Sequence, residues 1–371
     1  MLFLRLYQSI KQTSAGMQDA PKPIVPRLIS GLGNQMSCMA GAYELARNLR
    51  SQKRVVVLDE EGVWGGGKNK HDKSGRATAA HKFWPNTPRL PKGAIRGSYV
   101  VDNSHNMIPA PDNILPQLWG PNTYAKHKTI VYSGWCYHHF ATEQVLRETV
   151  KNYAVIPPLS QDCNEFRGGL DNLDSAFFLH IRRGDYLKPL NRWTFGLDLH
   201  KRYYRNSIQH FSAHLAKGAS ILVCSDDVLW CERNLPLMYN EVPKSAWRFS
   251  RATRADDTLI LMALCGLGGI TANSSLSWWG MVLGTYKFKE DRARLYVTPS
   301  VYLRKTNPIP MKISRVSVTL PRNCIAEPVG DQAELFVLCC ILVFIAIVLA
   351  IKIQKHKRPN PTVSQRAFSN L

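Results

Sequence analysis

Hydrophobic and polar positions fall into two regimes along the chain. In the first, an apolar stretch at 24–29 predicts a strand, and a glycine turn follows it. Helical spacing over 36–49 then puts Met39, Tyr43 and Ala46 on one face, and 55–58 is fully apolar. Strand, turn, helix and strand make a βαβ unit, and its uninterrupted apolar strands suit a parallel sheet covered on both faces. From 59 to about 121 the chain is rich in Gly, Pro, Asn and Lys, which predicts long loops and short elements. A strand at 129–133 and a helix at 142–153 come next, and the Pro157-Pro158 pair marks a boundary.

Beyond the prolines the alternation becomes regular. Strands are expected at 175–181, 220–224, 269–271 and 295–298, with helices at 199–215, 227–235 and 256–264. Such alternation argues for a doubly wound α/β domain. The chain then divides into an N-terminal segment (1–23), a first Rossmann-like domain (24–158), a second (159–330), an apolar segment (335–351) and a basic tail (352–371). In sheets of this kind ligands bind at the carboxyl ends of the strands.

Residues 335–351 read LFVLCCILVFIAIVLAI, without a charge. The run sits at the lower edge of the ~17–25 residues that span a bilayer. It predicts a transmembrane helix with lipid as its partner, a buried core helix being the alternative. Lys352, Lys355, Lys357 and Arg358 follow it and favour a cytoplasmic C-terminus. Met1 to Ile10 is too short and too charged for a signal peptide, so the two targeting signals disagree on orientation.

Composition narrows the class. The 371 residues are 45% hydrophobic and 20% charged, which excludes disordered, collagenous and low-complexity chains. The formal charge of +21 implies an anionic partner, and nucleic acid, membrane lipid and a nucleotide diphosphate all fit that. No RNP, zinc-finger or basic-helix pattern supports a nucleic-acid binder, the non-catalytic alternative. Nine cysteines lack any CxxC or CxxH spacing, so no metal site and no disulfide scaffold is expected, only buried free thiols.

Four polar clusters carry the candidate chemistry. His180, Arg182, Arg183, Gly184, Asp185 and Tyr186 leave the apolar strand Ala176-Phe177-Phe178-Leu179. Two arginines there can fork onto a diphosphate, and Asp185 can orient one of them. Asn273, Ser274, Ser275 and Ser277, followed by Trp278-Trp279-Gly280, enter a helix N-terminus, where hydroxyls and backbone N–H groups cradle anions or simply cap the helix. Gly31, Gly33, Asn34 and Gln35 form the first strand-to-helix turn, without the third glycine of a dinucleotide fingerprint. Asp226 and Asp227 follow the strand expected at 220–224 and suit either guanine contacts or a helix cap. No Asp-x-Asp triplet occurs, so arginines rather than a metal must neutralise a bound diphosphate. The stretch from Gly62 to Lys68 matches GxxxxGK, but Asn69 replaces the Ser/Thr and no apolar helix opens there.

In this order the clusters resemble glycosyltransferase family 11, the α-1,2-fucosyltransferases that use GDP-fucose. Gly31-x-Gly33-Asn34-Gln35, His180-x-Arg182-Arg183-Gly184-Asp185-Tyr186 and Asn273-Ser274-Ser275-x-Ser277-Trp278-Trp279-Gly280 carry the resemblance. Weaker echoes are Tyr203-Tyr204 and the run from Ser225 to Cys231 that includes Trp230. The resemblance implies a GT-B-like fold, two Rossmann-like domains facing a central cleft, with the C-terminal transmembrane helix added. It implies inverting fucose transfer from GDP-β-L-fucose without a metal ion or cofactor, to O2 of a terminal β-galactose on a glycan. Another acceptor, such as N-acetylglucosamine or a second fucose, is the alternative, and a Golgi setting goes with the family. Arg182 and Arg183 would hold the diphosphate with Asp185 in support, Arg183 and Asp185 being the catalytic pair. His180 and Asp226 or Asp227 would meet guanine or ribose. Asn273, Ser274, Ser275, Ser277 and the turn at Gly31, Gly33, Asn34 and Gln35 would line the donor. Asp198, His200 and Glu44 are the candidate general bases.

Overall fold

Two parallel sheets organise the chain in the computed structural model. The described residues are 22–28, 31–49, 53–58, 79–89, 99–102, 129–132, 143–166, 172–189, 192, 202–288, 294–300 and 324–327. All of them lie in one unit, Met1–Val329. Among them, the first sheet comprises β1 (Lys22–Pro26), β2 (Arg54–Val56), β3 (Tyr99–Asp102) and β4 (Thr129–Tyr132), in the order β2-β1-β4-β3. The second comprises β5 (Ala176–Ile181), β6 (Ser220–Ser225), β7 (Trp247–Phe249), β8 (Gly268–Ile270), β9 (Leu295–Pro299) and β10 (Cys324–Glu327). Its order is β10-β9-β8-β5-β6-β7.

β1 is an inner strand with two prolines, which a central strand seldom tolerates. Its ladders explain why it does. Pro23 pairs with β2 but precedes the β4 ladder, and Pro26 pairs with β4 but follows the β2 ladder. Each missing N–H thus falls where no ladder needs a donor. Next, α1 (Leu32–Asn48) starts four residues before the periodicity predicts, so Gly33, Asn34 and Gln35 form its first turn. α2 (Glu143–Tyr153) matches its expected place and packs against α1.

Every residue of β5 is buried, with side chains alternating between two cores. Ala176 and Phe178 join the cluster that includes Met36, Trp84, Trp278 and Trp279, while Phe177, Leu179 and Ile181 join the opposite one. At about 1.5–3 kcal/mol for each large apolar side chain buried, this strand is a major stabilising element of the sheet. The helices of this half are α3 (Tyr203–Gln209), α4 (Val228–Met238), α5 (Ala255–Leu264) and α6 (Ser275–Tyr286). The single helix expected at 199–215 is interrupted after Gln209, where Phe211 stacks on Phe177 at 4.1 Å. The short strands β3, β7 and β10 were not foreseen.

Read from β7, the second sheet runs 7-6-5-8-9-10, the order of a doubly wound nucleotide-binding sheet. Its direction of winding reverses between β5 and β8, and that switch point is where such sheets bind ligands.

The α/β half of the expected fold class fits these sheets, but its transmembrane helix is corrected. Among the described residues no helix is long and apolar enough to cross a membrane. The longest, α1, has 17 residues, with Glu44 and Arg47 in its sequence, and packs on protein. Residues 335–351 lie outside the described residues. Their hydropathy registered apolarity alone, at the minimum length for a span.

Candidate active site

β5 and β6 pair in register, with His180 opposite Cys224 and Ile181 opposite Ser225. The next residues along each strand are therefore Arg182 and Asp226, and they meet. Arg182 Nη1 lies 2.7 Å from Asp226 Oδ2, and Arg182 Nη2 donates to Asp185 Oδ1 at 2.5 Å. The other oxygen of Asp226 accepts from the backbone N–H of Arg183 at 2.8 Å. A Cβ on Gly184 would lie 2.4 Å from Asp226 Oδ2, so only glycine leaves room for this carboxylate.

Arg183 is held differently. Its Nε donates to Asp227 Oδ2 at 3.1 Å, and its guanidinium lies 3.6 Å from the centroid of the Trp230 ring. Neither Nη amine of Arg183 has a partner among the described residues. Asp227 also caps α4, its Oδ1 accepting from the Trp230 N–H at 3.3 Å. The helix-cap reading of Asp227 and the arginine-holding role are thus both realised. Trp230 itself gave no chemical signal in the sequence; the clue available was its place three residues after the capping Asp227, which returns it over the cap.

Two guanidiniums among three carboxylates carry a formal charge of −1, which by itself repels a diphosphate. Helix N-termini offset this. The first turns of α1 and α6 touch: a Cβ on Gly33 would lie 2.5 Å from Ser275 and from the Leu276 backbone nitrogen. Ser275 Oγ donates to Asn34 Oδ1 at 2.8 Å, and the N-caps of both helices, Gly31 and Ser274, lack a side-chain cap bond. Each N-terminus contributes about half a positive charge and several unpartnered N–H groups. Together they amount to about one positive charge, equal in size to the formal charge of the cluster. Tyr186 ties the two clusters, its hydroxyl donating to the Asn273 carbonyl at 3.0 Å.

His180 ends β5 almost fully buried, with the Tyr204 hydroxyl donating to its carbonyl at 2.8 Å. Burial, reinforced by the Arg182 charge, pushes its imidazole down to about 3, so it is neutral at pH 7. Two other expected donor-lining residues are engaged elsewhere. Ser277 is buried and bonds to the N–H of Ala272 and the carbonyls of Ala272 and Ser274. Gln35 is buried and accepts from the N–H groups of Ala79 and Ala80. Of the candidate bases, Glu44 is buried in α1, and Asp198 and His200 lie outside the described residues. Cys38, Cys163, Cys224, Cys231 and Cys265 are buried free thiols.

Residues 121–287, which hold β5, the switch point and α6, match the model of Glycosyl transferase family 11. An O-antigen biosynthesis glycosyltransferase of Escherichia coli, WbnK, is 29% identical over 71% of this chain and 90% of its own length. Two family relatives match over shorter stretches. An alpha-1,2-colitosyltransferase of Escherichia coli is 30% identical over 29% of this chain and 36% of its own length. A galactoside alpha-(1,2)-fucosyltransferase 2 of Pongo pygmaeus is 23% identical over 29% of this chain and 31% of its own length. The family match thus takes in Arg182, Arg183, Asp226, Asp227 and the Asn273–Ser277 cluster, and it begins after the Gly31 turn that meets them in space.

Proposed function

We propose that the chain transfers L-fucose from GDP-β-L-fucose to a glycan hydroxyl, namely O2 of a terminal β-galactose, with inversion and without a metal ion. One observation carries the reading: at the end of β5, Arg183 presents two open Nη amines, and Tyr186 ties this strand end to the Asn273 carbonyl that leads into the α6 N-terminus. That arrangement suits a nucleoside diphosphate. The match to the family model supports a glycosyl transfer, and the names of the fucosyltransferase relatives support the sugar and the linkage. Asp185, Asp226 and Asp227 each hold a guanidinium, which favours arginine over a metal ion as the neutralising group.

The chemistry follows from where charge develops. As the bond between the anomeric carbon and the β-phosphate oxygen breaks, negative charge grows on GDP. Donors already placed at that oxygen stabilise it without reorganising, the usual source of the largest catalytic effect. The acceptor hydroxyl attacks the anomeric carbon from the opposite face and yields its proton to a general base. Asp226 and Asp185 act through Arg182, fixing the strand end on which Arg183 is mounted.

The colitosyltransferase relative supports a second reading, in which the same diphosphate site takes a different sugar. Incubation with GDP-fucose, EDTA and a panel of β-galactosides, followed by linkage analysis, tests both. Fucose on galactose O2 is expected. Absence of both transfer and GDP release overturns the proposal, and preference for GDP-colitose selects the second reading.

A further inference from the structure

We propose that Trp230 is a positioning residue for the donor: its indole face is the platform that holds the Arg183 guanidinium with both Nη amines open to the diphosphate. The inference deepens the proposed donor site and rests on Arg183 being its phosphate ligand.

The two arginines show what the platform does. Arg182 is oriented by carboxylates, and both of its Nη amines are occupied, by Asp226 and Asp185. Arg183 is oriented by one carboxylate at Nε and by an aromatic face 3.6 Å from its central carbon. A ring face holds a guanidinium flat without consuming any N–H donor, and its attraction strengthens when water is excluded. The Arg183 side chain is only 17% exposed, so the contact is largely shielded. A second carboxylate on the Arg183 guanidinium in place of the indole would fix it equally well but would close an Nη amine and add a negative charge. The backbone that carries the indole is itself tied to the same carboxylate, because Asp227 accepts from the Trp230 main-chain N–H with one oxygen and from Arg183 Nε with the other. Asp227, Trp230 and Arg183 thus contact one another pairwise, and none of these contacts uses an Nη amine of Arg183.

The platform acts on phosphate and not on the base, so ligands that differ only in phosphate isolate it. Dissociation constants for GDP and for guanosine, read by thermal-shift titration of the full chain, are compared among wild type, Trp230→Leu, Trp230→Phe and Arg183→Ala. Trp230→Leu keeps apolar bulk but loses the ring face, and GDP affinity is expected to fall about tenfold with guanosine unchanged. Trp230→Phe restores a face and is expected to bind GDP within about threefold of wild type. Where Trp230→Leu fails to fold, Trp230→Met replaces it with the same expected loss. Wild-type GDP affinity in the Leu or Met variant overturns the proposal, as does an equal loss for GDP and guanosine, the signature of a merely structural role. Arg183→Ala separates the two levels. If it weakens GDP relative to guanosine while Trp230→Leu does not, only the platform fails. If it leaves GDP unaffected, the phosphate reading fails and the platform with it.

Discussion

Adjacent arginines of one motif are held differently because different carboxylates meet them. Sequence reasoning placed Arg182 and Arg183 at a strand end and expected both to hold phosphate. It could not distribute them, since Asp226 and Asp227 lie 43 and 44 residues away from Arg183 and reach it only through the β5–β6 register. His180 makes a separate prediction at this scale. Its folded pKa is pushed down to about 3, while the unfolded chain protonates it near 6.5. The unfolded state then binds the extra proton between those values, so stability is full above pH 6.5 and declines as pH falls towards 3. Urea melts between pH 7 and 4 should show this decline, and His180→Gln should flatten it. A wild-type and variant slope that coincide would remove the assignment.

Between elements, the contact that matters most joins the first turns of α1 and α6. The sequence singled out Gly31 and Gly33 as a turn open to a ligand, and the structure gives Gly33 a steric duty. With the backbone of Ser275 and Leu276 2.5 Å from where its Cβ would be, Gly33→Ala must push the two helices apart. Overpacking of this kind costs about 1–3 kcal/mol. We expect a lower melting temperature and weaker GDP binding together, because both N-termini shift; loss of stability with unchanged GDP affinity would detach these termini from the site. The early start of α1 was illegible because glycine and asparagine read as helix breakers, whereas packing of Ser37 overrode that preference. Its hydroxyl accepts from Trp279 Nε1 at 2.9 Å and donates to the Gly33 carbonyl at 3.1 Å. By contrast β4, α2, β5, β6 and α4 were legible, since continuous apolar strands and clear boundaries leave little choice.

On the scale of the whole molecule, strand order decides where chemistry sits. Local patterns supplied most strands of the second sheet but not β7 or β10, which are short and carry no alternation of their own. Hence the 7-6-5-8-9-10 order and its switch point emerged only from pairing. The +21 charge does not by itself locate the site: the ion-pair cluster is formally −1, and in the proposed site the pull on an anion comes from Arg183 and two helix ends. The central claim is therefore that the open Arg183 amines carry fucosyl transfer from GDP-fucose. The most direct test compares wild type and Arg183→Ala for transfer to a β-galactoside, with melting curves on the same preparations. Wild type should release GDP and fucosylated product in equal amounts, and Arg183→Ala should melt as wild type while transferring about 10²–10³-fold more slowly. A folded wild type that makes no product, or an Arg183→Ala variant as fast as wild type, would contradict the account.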